Sequence, residues 1–256
     1  MSKKYSISYP QLITWRTDLK PIQSVDSLFS KSTLKKIRST CQRLMHLGYE
    51  FTIEDLTFDI LNWFEIKHSD HISKKNNPHV MGIKNKVIDD LNKNKIVKTI
   101  LLRYGGFFDG ALFFTVNKNN ISVSYKYFPL KTKDKLPISL TYIAEYMLFE
   151  YAIVNKFDHI KHGKDDNVFG VFSDIGLSRF KLQLGLKPRI SSDPDNSILD
   201  EFEWDEKRDV LIFEYSLNSI EITAATLFLH DKSEENMKKY ESIINNPLLS
   251  VTVITL

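Results

Sequence analysis

Residues 139–157, SLTYIAEYMLFEYAIVNKF, constrain the fold more than any other stretch of the chain. Wound into a helix they are apolar on nearly every side, and the acids Glu145 and Glu150 point about 140° apart. Such a helix is stable only when packed against a sheet and covered elsewhere, so the chain must supply a sheet. Residues 97–128 read as one: VKTILLRY, GALFFTVNKN and ISVSYKYF are short, rich in β-branched and aromatic residues, and separated by GGFFDG and NKNN. That pattern predicts an antiparallel meander.

Helices are expected before the meander. In KSTLKKIRSTCQRLMHL, residues 31–47, Leu34, Ile37, Cys41 and Leu44 recur at spacings of three or four, and Gly48 ends the run. The opposite side is basic: Lys31, Lys35, Arg38 and Gln42 share a face, Lys36 and Arg43 flank it, and the segment has no acid. TIEDLTFDILNWFEI predicts a second helix, with Glu54 and Asp55 at its N-terminus where the dipole favours them. SDHISKKNNPH then predicts a loop, and MGIKNKVIDDLNKN a third helix.

After the central helix, FDHIKHG reads as a brief strand, KDDNVFGVFSD as a loop, IGLSRFKLQLG as a helix and LKPRIS as an extended exit. The acid-rich stretch from Asp193 to Asp209 reads as solvated. DVLIFEYSL, SIEITAATLFL and LLSVTVITL read as closing strands, with a short helix near SEENMKKYESII. The expected fold class is α+β: a mixed, twisted sheet flanked by helices, with N-terminal helices and extra C-terminal strands. A single domain over residues 1–256 is expected, its core at about 30–190 and a strand-rich extension at about 196–256.

Composition narrows the function classes. A hydrophobic content of 42% with 12% aromatics supports a large core. Thirty-five Lys and Arg against 32 Asp and Glu leave a net charge of +3, too little to argue by itself for a nucleic-acid partner. Cys41, the single cysteine, can form no intrachain disulfide and no thiolate zinc site. The opening MSKKYSISYPQLITW has no continuous apolar region, and no run of about 18 apolar residues occurs, so a cytoplasmic location without a membrane span is expected.

The order of elements, with GLSRFKLQLG after a strand, resembles the GNAT-fold acyltransferases, and among them the Fem-type aminoacyltransferases and their acetyl-CoA-using relatives. STLKKIRSTCQRLMHLGYEF, ILLRYGGFFDGALFFTVNKNNISVSYKYF, YIAEYMLFEYAIVNKFDHI and GLSRFKLQLG carry the resemblance, covering roughly residues 30 to 190. It implies an N-acyltransferase moving an acyl group, acetyl foremost, from acyl-CoA to a primary amine of a small molecule such as an amino sugar or amino acid. The chain departs from the pattern in two places. FPLKTKDKLPIS stands where GNAT enzymes carry a glycine-rich pyrophosphate cradle, and one copy of the fold stands where Fem ligases usually carry two. Two other functions remain open beside the first: a Fem-type transferase using aminoacyl-tRNA on a cell-wall precursor or peptide, and a binding module without chemistry.

Acyl transfer to an amine needs an uncharged nitrogen, a proton acceptor and donors for an oxyanion, but no covalent nucleophile. The chain has no G-x-S-x-G elbow, and Cys41 sits on the apolar side of its helix, where packing accounts for it. Lys131, Lys133 and Lys135 precede the N-terminus of the central helix, where they could replace the missing cradle for acyl-CoA phosphates or simply be solvated. Ser139 and Thr141 add hydroxyls there, one of which could cap the helix.

The resemblance puts Lys181, in the FK element, on the donor side near developing negative charge; the other reading is a core helix whose lysine snorkels to solvent. Arg179 should point elsewhere. Proton-acceptor candidates are Asp109, Glu145, His162, Tyr125 and Tyr127, a buried carboxylate having a raised pKa. Asp109 could equally shape the turn before Gly110, and Glu145 could hydrogen-bond a neighbour. Lys35 and Arg38 could meet a nucleotide-linked substrate or tRNA, although a solvated face is the ordinary outcome. His68, His71 and His79 with Asp70 lack a second ligand set, so no metal is expected.

Overall fold

Two strands not expected from the sequence open the chain, β1 (Lys3–Pro10) and β2 (Leu12–Asp18), followed by a 3-10 turn at Val25–Leu28. Then come α1 (Lys31–His46), β3 (Tyr49–Asp55), α2 (Phe58–Ile72), α3 (Ile83–Asn92), β4 (Ile96–Tyr104), β5 (Phe107–Asn117) and β6 (Asn120–Tyr127). The second half holds α4 (Leu140–Val154), β7 (His159–Asp166), β8 (Val168–Phe169), α5 (Ile175–Gln183), β9 (Lys187–Ile190), β10 (Ile198–Trp204), β11 (Val210–Phe213) and β12 (Ala224–Leu229). It closes with α6 (Glu234–Lys239), α7 (Glu241–Ile244) and β13 (Ser250–Thr255). These elements come from a computed structural model that describes residues 3–74, 82–129, 136–217 and 219–255. Packing divides the chain into two units, Asp18–Lys161 and Met1–Thr17 with His162–Leu256, the boundary falling inside β2 and β7.

In the unit Asp18–Lys161, β3, β4, β5 and β6 pair antiparallel in that order. Gly105 and Gly106, both at positive φ (56° and 84°), make the tight β4–β5 turn that only glycine enters freely. Alternation along each strand sends successive side chains to opposite faces. Phe113 meets Phe64 of α2 at 4.2 Å, whereas Phe114 meets Tyr151 of α4 at 5.6 Å. One face is thereby covered by α2 and α3 through Ile60, Leu61, Phe64, Ile83 and Val87. The other is covered by α4, whose Leu140, Ile143, Ala144, Leu148, Phe149 and Ala152 are all buried. Each buried Leu, Ile, Val or Phe side chain among them contributes roughly 1.5–3 kcal/mol. The expected central helix is present, and only its Glu150 and Val154 are exposed.

The expected second helix is corrected at its start. Residues 49–55 alternate as a strand and pair with β4 from Tyr49↔Tyr104 to Asp55↔Lys98, so Glu54 and Asp55 do not lie at a helix N-terminus. Thr57 caps α2 instead, its hydroxyl accepting from Ile60 N at 3.3 Å. The helix also runs on to Ile72, through the start of the expected loop.

In the other unit β1 pairs with β10, β2 with β9, and β8, β11, β12 and β13 form a four-stranded sheet whose last pair is parallel. The acid-rich stretch is therefore partly strand. In β10 Phe202 and Trp204 turn inward to a cluster with Tyr9, Val168, Val210, Ile212 and Phe228, while Asp200, Glu201 and Glu203 face solvent. Likewise β7 extends through Lys164–Asp166, and Val168–Phe169 is a short strand, where a loop was expected. Asn167 lies between them fully buried, donating to the carbonyls of Pro10 and Phe213 at 2.8 and 2.7 Å and accepting from Phe213 N at 3.0 Å.

Candidate functional site

The helix α5 is started by Asp174, whose carboxylate accepts from Gly176 N at 2.5 Å, and is stopped by Gly185 at φ 73°. Between those limits Ser178, Lys181 and Leu182 face inward. Lys181 does not snorkel: the residue is 6% exposed. Its Nζ lies 2.6 Å from Asp165 Oδ2 on β7, and the same oxygen accepts from Trp15 Nε1 of β2 at 2.6 Å. The ammonium also stands 5.3 Å from the Trp15 ring centroid, a cation–π distance. Trp15 is fully buried and is fixed edge-on by Phe213 at 5.4 Å and Phe169 at 6.4 Å. A charged lysine is thus held in a low-dielectric interior by a carboxylate whose position an indole fixes. Arg179 points elsewhere, donating to the Lys239 carbonyl at 3.1 Å.

The remaining candidates occupy other places. His162 is buried on β7. In the unit Asp18–Lys161, Glu145 is fully buried, 3.1 Å from Lys126 Nζ of β6. Tyr125 and Tyr127 flank Lys126 and point to the opposite face, against α2: Tyr127 lies 6.2 Å from Trp63 and 5.7 Å from His71, and Tyr125 lies 6.5 Å from His68. Glu145 and the two tyrosines are therefore separated by the sheet.

Asp109 is the extra residue of a β-bulge, since Leu102 pairs with Gly110 and Arg103 with Phe108. Burial pushes its pKa up, and Lys67 opposes part of that rise. Burial likewise raises Tyr127, helped by Asp109 and Asp70, and raises Tyr125, helped by Asp90. The Asp109 carboxylate thus favours the protonated state of Tyr127.

Ser139 is the N-cap of α4, but its side chain makes no capping hydrogen bond, and no acid lies in the first turn. Thr141 follows, half-buried. Lys131, Lys133 and Lys135, and His79, lie outside the described residues. On α1, Lys31, Lys35, Lys36 and Arg38 are exposed. Arg38 is 2.6 Å from Asp26, whose other oxygen accepts from Tyr146 OH at 3.1 Å. Burial, then the Asp26 contact, pushes the Tyr146 phenol up to about 12.

Asp165 and Trp15 were not singled out in the sequence. In the run HIKHGKDD, residues 159–166, the alternation of buried and exposed residues stops at Gly163, so local pattern does not mark Asp165 as strand-borne. Its glycine and consecutive charges read instead as the start of a loop.

No family model and no curated protein matches the sequence. Among solved structures, FemX superposes with a TM-score of 0.52 at 13% identity, over 75% of this chain and 61% of that one. The L-PGS of Bacillus licheniformis gives 0.41 at 17% identity, over 69% and 51%. A tandem GNAT protein from the clavulanic acid biosynthesis pathway gives 0.45 at 9%, over 79% and 55%. The chain spans about half to three-fifths of the length of these structures. The chain shares the fold of FemX, in the α+β class expected from the sequence.

Proposed function

We propose that the chain is an N-acyltransferase that moves an acyl group, acetyl in the simplest case, from acyl-CoA to a primary amine of a small molecule such as an amino sugar or amino acid. The observation that carries this reading is the buried Lys181 ammonium held by Asp165 on a GNAT-type fold. Attack of a neutral amine on the thioester carbonyl builds an oxyanion, which collapses as the CoA thiolate leaves. A fixed positive charge in a water-poor setting stabilises such an oxyanion without reorganising when it forms. The proton lost by the amine needs an acceptor, and His162 lies on the same strand as Asp165.

The N-terminus of α4 is the site assigned to the CoA phosphates. Its free backbone N–H groups and dipole favour an anion, and neither a Ser139 side-chain cap nor a first-turn acid competes. Lys131, Lys133 and Lys135 precede it in sequence and supply charge in place of glycines.

A second reading keeps the fold and changes the donor to aminoacyl-tRNA. The exposed lysines Lys31, Lys35 and Lys36 on an acid-free α1 favour it. Two measurements separate the readings. On the first, CoA alone raises the thermal midpoint in a concentration-dependent way, and labelled acetyl groups pass to one member of a panel of amines. On the second, CoA has no effect and tRNA binds with a steep dependence on salt. Absence of all three responses rejects catalysis and leaves a binding module.

A further inference from the structure

The exposed stripe of α1 changes character along its length. Lys31, Lys35, Arg38, Gln42 and Met45 recur at spacings of four and three, so they share one helix face, and all five are exposed. The stripe begins with cations and ends on the apolar Met45. Met45 lines a groove with Tyr49 of β3, and the Tyr49 ring lies 4.6 Å from that of Tyr104 on β4. Tyr104 in turn pairs with Phe107 across the β4–β5 turn, and partners directly opposite in an antiparallel ladder project from the same face. Leu47 lies between Met45 and Tyr49 in the chain. Met45, Leu47, Tyr104 and Phe107 therefore form one apolar surface within the unit Asp18–Lys161, and at 74%, 37%, 53% and 80% exposed they leave much of it in water. Apolar side chains gathered in one exposed patch, unlike scattered ones, mark a contact surface.

Charge beside the patch favours an anionic partner. Residues 27–49 contain no acid. Asp26 engages Arg38 at 2.6 Å, whereas Lys31 and Lys35, with Lys36 flanking them, form no ion pair among the described residues. Against these three lysines stand Glu150, which lines the groove with Met45, and Glu50, which lies opposite Arg103 in the β3–β4 ladder. At about 1.5 Å of rise per residue, Lys35 and Met45 lie roughly 15 Å apart along the helix, close enough for one flat surface to meet both. A nucleic acid would satisfy the lysines but offers little to the aliphatic Met45 and Leu47, whereas the boundary between headgroups and acyl chains of a lipid layer takes both kinds of side chain.

We propose that this face docks on an anionic lipid surface, the α1 lysines at the headgroups and Met45, Leu47, Tyr104 and Phe107 in the interfacial layer. The inference concerns binding alone and stands whether or not the chain transfers acyl groups.

Co-sedimentation of the full chain with vesicles tests it, using phosphatidylcholine alone or phosphatidylcholine with phosphatidylserine at about one lipid in three. The parent is expected to sediment with the mixed vesicles, to be released as salt is raised, and to stay in solution with phosphatidylcholine alone. The double variants Met45→Ser/Phe107→Ser and Lys31→Gln/Lys35→Gln alter only exposed side chains, so each should keep the parent's thermal midpoint and lose about tenfold or more in affinity for the mixed vesicles. No sedimentation with the mixed vesicles, equal sedimentation with phosphatidylcholine alone, or undiminished affinity in Met45→Ser/Phe107→Ser would each overturn the proposal. Vesicle binding absent and tRNA binding weakened by Met45→Ser/Phe107→Ser would assign the face to nucleic acid instead.

Discussion

Lys181 contributes as one half of a buried pair, and that governs what its removal does. Lys181→Met leaves the Asp165 carboxylate, 11% exposed, without its counter-charge; the expected loss is about 3–5 kcal/mol, read by urea denaturation. Adding Asp165→Asn removes the orphaned charge and is expected to restore most of that loss. A single variant as stable as the parent would mean that the pair is not formed. Lys181 itself was legible in the sequence, because a lysine between Phe180 and Leu182 breaks the apolar pattern of a short helix. Its partners were not. Trp15 and Asp165 lie 150 residues apart, and local pattern carries no information about which distant strand presents a carboxylate to which helix. The same holds for Glu145: its isolation among apolar residues was visible, but Lys126 as its partner depends on the register of β6 against α4.

Among the elements, segments with one strong period were readable, and segments with two competing signals were not. The meander and α4 stood out because β-branched alternation and all-round apolarity each point to one kind of element. β3 was hidden because its acids Glu54 and Asp55 precede a true helix and mimic helix-start chemistry. Their actual role makes a prediction. The Arg103 guanidinium, above all by direct hydrogen bonding, lowers Glu54 from an ordinary 4.5 to about 2, with Thr52 assisting and burial opposing.

A carboxyl group with a depressed folded-state pKa contributes stability that is complete above its unfolded value and is lost as pH falls. Glu54→Gln should therefore be less stable than the parent at neutral pH, and the gap should close between pH 4.5 and about 2, as followed by denaturation midpoints across that range. A pH-independent gap would contradict this.

Gly170 tests the other unit. It holds φ 96°, and a Cβ there would stand 2.2 Å from the Asp209 carbonyl oxygen, a backbone atom that cannot rotate away. Gly170→Ala is expected to cost more than about 1 kcal/mol, visible as a lowered thermal midpoint. An unchanged midpoint would show that β8 and β11 are not held as described.

For the whole molecule, fold and function separate. The architecture rests on the order of helices, meander, central helix, strand and helix, which was legible in the sequence, whereas β1, β2, β3, β8, β10 and the end of β7 were not. The β1 and β2 strands escaped because KKYSISYP and LITWRTD carry weak alternation and take their places through the distant strands β10 and β9. Chemistry is a stronger claim than architecture, since the same fold can bind without transferring.

The most direct test is turnover of labelled acetyl-CoA with the accepted amine by Lys181→Met/Asp165→Asn, assayed beside the parent at a temperature where both are folded. Loss of the oxyanion-stabilising charge should lower kcat by about a hundredfold or more while the thermal midpoint stays near the parent's. A folded double variant that turns over at the parent's rate would contradict the assignment of Lys181 to the reaction.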